Sequence, residues 1–125
     1  MSKPGKTGIA RIIDAFGYSM KGFAAAWQFE AAFRQEVALG LVLLPCSFWL
    51  ATSHIELILL LASIFWVWMA ELANSAVEAV VDRTGSERHE LSGRAKDIGS
   101  ALVFVSLVLL ALVWGTIAAH SFLLS

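Results

Sequence analysis

Three long apolar segments constrain this chain more than any other feature of its sequence. They cover about residues 31–51, 55–81 and 92–124, and each is long enough to cross the roughly 30 Å of a bilayer core as a helix. Hydrophobic residues make up 58% of the 125 residues, above the roughly 45–50% that is typical of soluble domains. The sequence therefore predicts an all-α integral-membrane protein, with residues 1–125 forming one domain.

An amphipathic segment precedes the three spans. From Ile9 to Trp27 the apolar residues recur at helical spacing, while Arg11 and Lys21 fall on the other face. A helix with basic residues on one side and Phe and Trp on the other lies flat in the membrane interface. Packing on a protein core is the alternative. The prediction is an amino-terminal amphipathic surface helix over about residues 9–29.

The second span carries acidic residues where lipid contact would require apolar ones. Glu71 lies about 21 Å of helical rise beyond Leu57, in the far third of the bilayer. A carboxylate near the membrane centre costs roughly 2.5–3.5 kcal/mol, so it needs a functional reason. At about 100° per residue one helix face collects five polar residues, namely Glu71, Asn74, Ser75, Glu78 and Asp82. This polar face predicts a catalytic or transport site near the membrane surface.

Basic residues predict how the spans are oriented, because loops rich in Lys and Arg stay in the cytoplasm. The turn at residues 52–54 and the chain after Leu112 contain none. The basic residues cluster instead in the amino-terminal segment and around the second loop: Lys3, Lys6, Arg11 and Lys21, then Arg83, Arg88, Arg94 and Lys96. The amino terminus and the second loop are therefore predicted to be cytoplasmic and the carboxyl terminus periplasmic, in a bacterial inner membrane.

Two further charged clusters reach the side of the membrane where the polar face lies. They are Glu30, Arg34 and Glu36 before and within the first span, and Glu87, His89, Glu90, Lys96 and Asp97 in and after the second loop. Carboxylates bind Mg²⁺ together with phosphates, Lys and Arg pair with phosphate oxygens, and a buried carboxylate can be a general base. Together the clusters predict a phosphoryl-transfer site. Singly, each has a plainer interpretation: a Glu30–Arg34 ion pair, an interhelical hydrogen bond from Asn74, and a solvated loop.

Three segments of the sequence resemble the prokaryotic integral-membrane diacylglycerol kinases. They are EAAFRQE (30–36), ELANSAVEAVVDR (71–83) and GSERHELSGRAKD (85–97), in the same order, and the resemblance extends from Arg11 to about Ser100. It implies a homotrimer of three-span subunits with shared sites. It also implies transfer of the γ-phosphoryl group of MgATP to the hydroxyl of sn-1,2-diacylglycerol, giving phosphatidic acid and ADP in phospholipid recycling.

The net charge of −1 gives no field that favours nucleic acid as a partner.

The resemblance also implies a role for individual residues. Glu71 would be the base that takes the proton of the lipid hydroxyl, and Asn74 would orient this base. Glu30 and Glu78 would hold Mg²⁺. The ATP contacts would be Arg11, Tyr18, Glu30, Glu78, Glu87, Arg88, His89, Lys96 and Asp97. The lipid-substrate contacts would be Ala15, Ser19, Met20, Ala24, Trp27, Ala32, Arg34, Glu36, Trp49, Glu71 and Ser100. The chain departs from the family at Met20 and Arg88, where aromatic residues are common, and Asp82 receives no role.

Three other functions compete with this one. An undecaprenol kinase would use the same chemistry on another lipid alcohol, although segments 34–36 and 92–94 favour diacylglycerol. A small proton-coupled exporter would explain Glu71, but not Glu78 or the charged second loop, and it usually has four spans. A structural subunit of a larger complex would leave the whole polar face unexplained.

Overall fold

The computed structural model describes residues 7–85 and 89–123. These residues form four helices, α1 (Gly8–Phe29), α2 (Ala31–Leu50), α3 (His54–Arg83) and α4 (Glu90–Leu123). Three of them, α2, α3 and α4, are long and apolar enough to cross a membrane. The prediction of an all-α membrane protein with three spans after an amino-terminal helix is therefore confirmed. The helix ends differ by at most two residues from those expected from the sequence, because α3 continues through Asp82 and Arg83 and α4 begins already at Glu90.

Glu30 alone separates α1 from α2. Its backbone is extended (φ −120°, ψ 104°), and its N–H donates to the carbonyl of Ala26 at 3.0 Å. The Arg34 guanidinium donates to the carbonyl of Trp27 at 2.6 Å and to that of Gln28 at 3.4 Å. Arg34 thus satisfies carbonyls that the end of α1 leaves without partners. Between these two described residues, the Glu30–Arg34 ion pair that their spacing allows is not formed.

Reciprocal capping fixes the start of α3, at the end of the bundle far from Glu71. The Ser53 hydroxyl accepts from the N–H of Glu56 at 3.2 Å. The Glu56 carboxylate in turn accepts from the N–H and the hydroxyl of Thr52, both at 2.9 Å. This exchange satisfies donors at the helix start much as a capping box does. At its other end α3 stops before Gly85, whose φ of +121° favours glycine.

Helix α3 is the centre of the described fold, since it packs along α4 and α2. Its buried face includes the fully enclosed Leu60 and Ile64. Ser63 on the same face accepts a hydrogen bond from the indole N–H of Trp114 on α4 at 3.0 Å. The bond satisfies two polar groups inside an apolar bundle, where leaving them unpaired would cost free energy.

Helix α1 packs mainly on α2 and buries little of its own surface. Its buried residue is Ala26, close to the junction with α2. The apolar side chains that were predicted to face the membrane are exposed in the single chain: Ile9, Ile12, Ile13, Phe16, Met20, Phe23 and Trp27. An amphipathic helix whose apolar side is uncovered needs a lipid surface or another subunit against it.

Candidate active site

Acidic residues from three parts of the chain lie within electrostatic range of Glu71. Its side chain belongs to the buried face of α3, and the residue is 4% exposed. Three other carboxylates lie near enough to act on it electrostatically, in the order Glu36 on α2, Glu78 on α3 and Glu30 at the α1–α2 junction. The structure therefore brings together the acids of the first span and those of the polar face. A concentration of negative charge of this kind attracts cations.

Asn74 is oriented by its neighbours on α3 and α4. Its amide Nδ2 donates to the Glu78 carboxylate at 3.3 Å, one turn further along α3. Its amide Oδ1 is buried and has no hydrogen-bond partner among the described residues. That oxygen lies against Gly99 on α4, so closely that a Cβ at Gly99 would overlap it. The amide is thus held between the Glu78 carboxylate and the backbone of α4.

Glu30 is partly buried and lies within electrostatic range of two other carboxylates. Burial raises the pKa of its carboxyl, and the negative charges of Glu78 and then Asp82 raise this pKa further. Among the described residues, no three or more His, Cys, Asp and Glu side chains are arranged to hold a metal by themselves. Mg²⁺, however, is usually held by one or two carboxylates together with phosphates and water. Glu30 and Glu78 fit that pattern.

An open groove runs between α1 and α3 beside these carboxylates. Its volume is about 660 Å³, within the range of small-molecule sites. Its polar lining comes from Ser19, Glu30, Ser75 and Asp82. The remainder is apolar: Gly22, Phe23, Ala25, Ala26, Phe29, Leu72, Ala76 and Ala79. A groove with an acidic end and apolar walls suits a molecule that has a polar head and a hydrocarbon body.

The residues expected to contact ATP lie around the ends of α3 and α4 and on α1. Lys96 on α4 forms a 2.8 Å salt bridge with Asp82 on α3, which gives the unassigned Asp82 a structural partner. His89 caps α4, because its Nδ1 accepts from the N–H of Leu91 at 3.0 Å, and its other ring nitrogen is left for a further bond. Arg11, Tyr18 and Asp97 are exposed. Glu87 and Arg88 lie outside the described residues.

The residues expected to contact the lipid are spread more widely. Ser19 lines the groove with Glu30, and its hydroxyl donates to the carbonyl of Ala15 at 3.0 Å. Met20, Ala24 and Trp27 on α1, Ala32 on α2 and Ser100 on α4 are exposed, and Arg34 is half-buried. Trp49 stands apart, at the other end of α2, with its ring 5.8 Å from that of Phe122. It is about 20 Å of helical rise from Glu36, so the structure does not bring it to Glu71.

Contacts between helices reveal residues that the sequence pattern did not single out. The indole of Trp68 on α3 donates to the backbone carbonyl of Glu36 at 2.8 Å. Gly40 and Gly99 are the points where α2 and α4 admit a large side chain from α3. Glycine inside an apolar span is the signal that could have found both, because small residues allow close helix contacts in membranes. The sequence does not reveal which side chain occupies each gap.

These features describe a membrane protein with a group of acidic residues beside an open groove between α1 and α3. The sequence profile of the prokaryotic diacylglycerol kinase family matches residues 17–118. The diacylglycerol kinase of Haemophilus influenzae is 50% identical over 111 residues, covering 89% of this chain and 94% of the relative. That of Escherichia coli K12 is 52% identical over 108 residues, covering 86% and 88%. That of Pseudomonas aeruginosa is 50% identical over 113 residues, covering 90% and 92%.

The chain belongs to the prokaryotic diacylglycerol kinase family. Its class is therefore that of an ATP-dependent lipid kinase embedded in a membrane. The resemblance inferred from the three sequence segments is confirmed.

Proposed function

We propose that this protein transfers the γ-phosphoryl group of MgATP to the free hydroxyl of sn-1,2-diacylglycerol, giving phosphatidic acid and ADP in phospholipid recycling. One structural observation carries the proposal. The buried Glu71 lies within electrostatic range of the carboxylates of Glu36, Glu78 and Glu30, and Glu30 lines a groove that α1 forms with α3. An aqueous nucleotide and a membrane lipid would meet at such a place, and holding both reactants there supplies much of the catalysis.

Glu71 is the proposed general base. As the lipid oxygen forms its bond to the γ-phosphorus, the bond from that phosphorus to the bridging oxygen of ADP breaks, and the hydroxyl proton passes to the Glu71 carboxylate. Asn74 holds the neighbouring Glu78 through its amide N–H. Its unpaired Oδ1 remains able to accept a hydrogen bond in the catalytic complex.

Glu30 and Glu78 are the proposed Mg²⁺ ligands, and Mg²⁺ when bound neutralises charge on the transferring phosphates. Lys96 pairs with the phosphate oxygens, and to do so its ammonium exchanges the Asp82 carboxylate for a phosphate. His89 offers the ring nitrogen that the cap of α4 leaves unused. The further proposed ATP contacts are Arg11, Tyr18, Glu87, Arg88 and Asp97.

In this proposal the head of the lipid lies in the groove between α1 and α3, next to the start of α2. Ser19 and Glu30 share a groove whose apolar walls suit the glycerol and the first acyl carbons. Arg34 and Glu36 lie further along α2, and the Glu36 carboxylate acts electrostatically on Glu71. Trp49, about 20 Å further along α2, contacts the acyl chains rather than the reacting hydroxyl. The other proposed lipid contacts are Ala15, Met20, Ala24, Trp27, Ala32 and Ser100.

We also propose a homotrimer with shared sites and with the acidic end of the bundle at the cytoplasmic face. The distribution of Lys and Arg supports this orientation. Large exposed side chains on the spans support the assembly, among them Met69, Leu102 and Val105, which line an apolar groove between α3 and α4. A subunit with only three spans encloses its polar groups more fully when other subunits cover it.

The direct test supplies the purified protein in detergent micelles with MgATP and sn-1,2-diacylglycerol and measures phosphatidic acid. We expect product with diacylglycerol and little with undecaprenol at the same mole fraction. Turnover of undecaprenol without turnover of diacylglycerol would reassign the substrate. Absence of product with either lipid, in a preparation that is folded and oligomeric, would refute the proposed activity.

A further inference from the structure

One contact between α2 and α3 involves a tryptophan that the proposed mechanism does not use. Trp68 lies on α3, one turn before Glu71, and its indole N–H donates to the carbonyl of Glu36 on α2 at 2.8 Å. Its ring fills the gap left by the missing side chain of Gly40, where a Cβ would overlap the indole. Phe65 meets the same ring edge-on, with centroids 5.4 Å apart and planes at 89°. The indole is therefore held on three sides.

The hydrogen bond is additional to those that build α2. In a regular helix the carbonyl of Glu36 already accepts from the N–H of Gly40, so the indole is its second donor. The contact is partly buried, and its neighbours Leu39, Leu43, Ile64 and Val67 are apolar. A hydrogen bond in such apolar surroundings is stronger than one in water. Together with the seat on Gly40, it fixes both the rotation of α2 about its axis and its height along α3.

The residue held in this way matters for the site. Of the charged groups that act on Glu71, Glu36 acts most strongly. One oxygen of the Glu36 carboxylate is buried and has no partner among the described residues, so no bond there fixes its position. The backbone of α2 is then what determines where this carboxylate stands. A small rotation of α2 would move it relative to Glu71.

We propose that Trp68 is a positioning residue for the lipid acceptor: seated on Gly40 and bonded to the Glu36 carbonyl, it holds the Glu36 carboxylate in register with Glu71. Trp68 acts through α2 and does not touch the reacting atoms. The inference rests on the proposed function, in which Glu36 belongs to the lipid side of the site. It specifies that the position of α2 along α3 affects the KM for the acceptor lipid and leaves the KM for MgATP unchanged.

The kinetic test removes the indole N–H of Trp68 but keeps an aromatic ring at this position. For Trp68→Phe we expect the KM for diacylglycerol to rise about threefold to tenfold, as loss of one hydrogen bond would give, with the KM for MgATP unchanged. Trp114→Phe is the matched control, because it removes another interhelical indole bond, the one to Ser63. That control should lower thermal stability and leave both KM values unchanged. Equal rises in the two KM values for Trp68→Phe, or no rise in either, would overturn the proposal.

A double-mutant cycle tests the packing of the Trp68 indole against Gly40. Gly40→Ala should raise the KM for diacylglycerol in the wild-type background, because the added methyl overlaps the indole. In a Trp68→Leu background the same methyl has room, so the additional effect of Gly40→Ala should vanish. Full additivity of the two changes would overturn this part of the proposal.

A spectroscopic measurement separates this inference from the proposed function. The five Trp residues give five indole N–H resonances after ¹⁵N labelling, and Trp68→Phe identifies its own by deletion. That resonance should exchange slowly with water and should shift in Gly40→Ala. If the resonance exchanges slowly and shifts in Gly40→Ala while the wild type makes no phosphatidic acid, the proposed function is refuted. The inference that Trp68 fixes the position of α2 is then retained. A rapidly exchanging Trp68 resonance would refute the hydrogen bond itself.

Discussion

At the scale of the residue, Glu71 shows how much the spacing of side chains along one helix can predict. Its depth in an apolar span predicted a function, and its position relative to Asn74 and Glu78 predicted a shared face. The structure buries Glu71 to 4% exposure and joins Asn74 to Glu78 by a hydrogen bond along the same face, while the function of Glu71 stays a prediction. Local periodicity is sufficient here because the residues concerned are one or two helical turns apart.

Glu71→Gln is expected to abolish nearly all turnover. The amide keeps the size of the side chain but does not take a proton from the lipid hydroxyl, and loss of general-base catalysis costs about 10²–10⁴-fold. The measurement is phosphatidic acid formation at saturating MgATP and diacylglycerol, with the oligomeric mass as a check of integrity. Wild-type turnover in this variant would remove Glu71 from its role as base.

Gly99→Ala is expected to lower kcat about tenfold to a hundredfold, because the new methyl displaces the Asn74 amide that it would overlap. Gly115→Ala is its matched control on the same helix, since a Cβ at Gly115 meets open space. In an Asn74→Ala background, Gly99→Ala should have no further effect on kcat. A comparable loss in both glycine variants would show that α4 flexibility, rather than the Asn74 contact, is responsible.

Metal dependence should change with pH through Glu30. Only the deprotonated carboxylate binds Mg²⁺, and burial with the charges of Glu78 and Asp82 raises the pKa of Glu30 above 4.5. Protons therefore compete with Mg²⁺ at a higher pH than they would for an exposed glutamate, and the half-saturating Mg²⁺ concentration should rise as pH falls toward this pKa. The measurement is a Mg²⁺ titration of initial rate at several pH values.

Glu30→Gln should weaken Mg²⁺ dependence and remove this pH effect, whereas Glu56→Gln should preserve both. Glu56 is a suitable control because it lies in the first turn of α3, at the end of the bundle far from Glu71. A pH effect of unchanged size in Glu30→Gln would assign it to another group.

At the scale of the element, the helices were predictable because each is specified by its own composition. The connections between them were not, since their partners are distant in sequence. Asp82 had no predicted role, and its partner Lys96 lies on the next helix. Arg34 was expected either to pair with Glu30 or to serve the lipid site. It does not pair with Glu30 but bonds to the end of α1, and its contact with the lipid stays a prediction. Trp68 and Gly40 illustrate the same limit, because a gap in one helix does not specify which residue fills it.

Ser53→Ala is expected to destabilise the start of α3. The hydroxyl accepts from the N–H of Glu56, and loss of such a cap costs about 0.5–2 kcal/mol. Thermal inactivation in detergent is the measurement, with an expected shift to lower temperature. Turnover of the folded protein should be unchanged, because the cap lies at the end of the bundle far from Glu71. A selective rise in the KM for either substrate would contradict that separation.

At the scale of the whole molecule, the single chain leaves large apolar surfaces uncovered on α1 and on the spans. The predicted homotrimer should have a protein mass about three times the 13.6 kDa of the chain, measured by light scattering after subtraction of the detergent. We expect this mass to persist in Glu71→Gln, because that change removes a charge inside the subunit. A fully active preparation with the mass of one chain would refute the trimer.

The junction at Glu30 has a mechanical consequence for the whole molecule. Helices are stiff, so a tilt of α1 against α2 has to be absorbed by the backbone torsions of the residue between them, and that residue also carries a proposed metal-binding carboxylate. A surface helix follows the plane of the bilayer, whereas a span follows its normal. If α1 lies on the membrane surface as proposed, bending or thinning the bilayer would change the backbone torsions of Glu30 and with them the direction of its proposed metal-binding carboxylate.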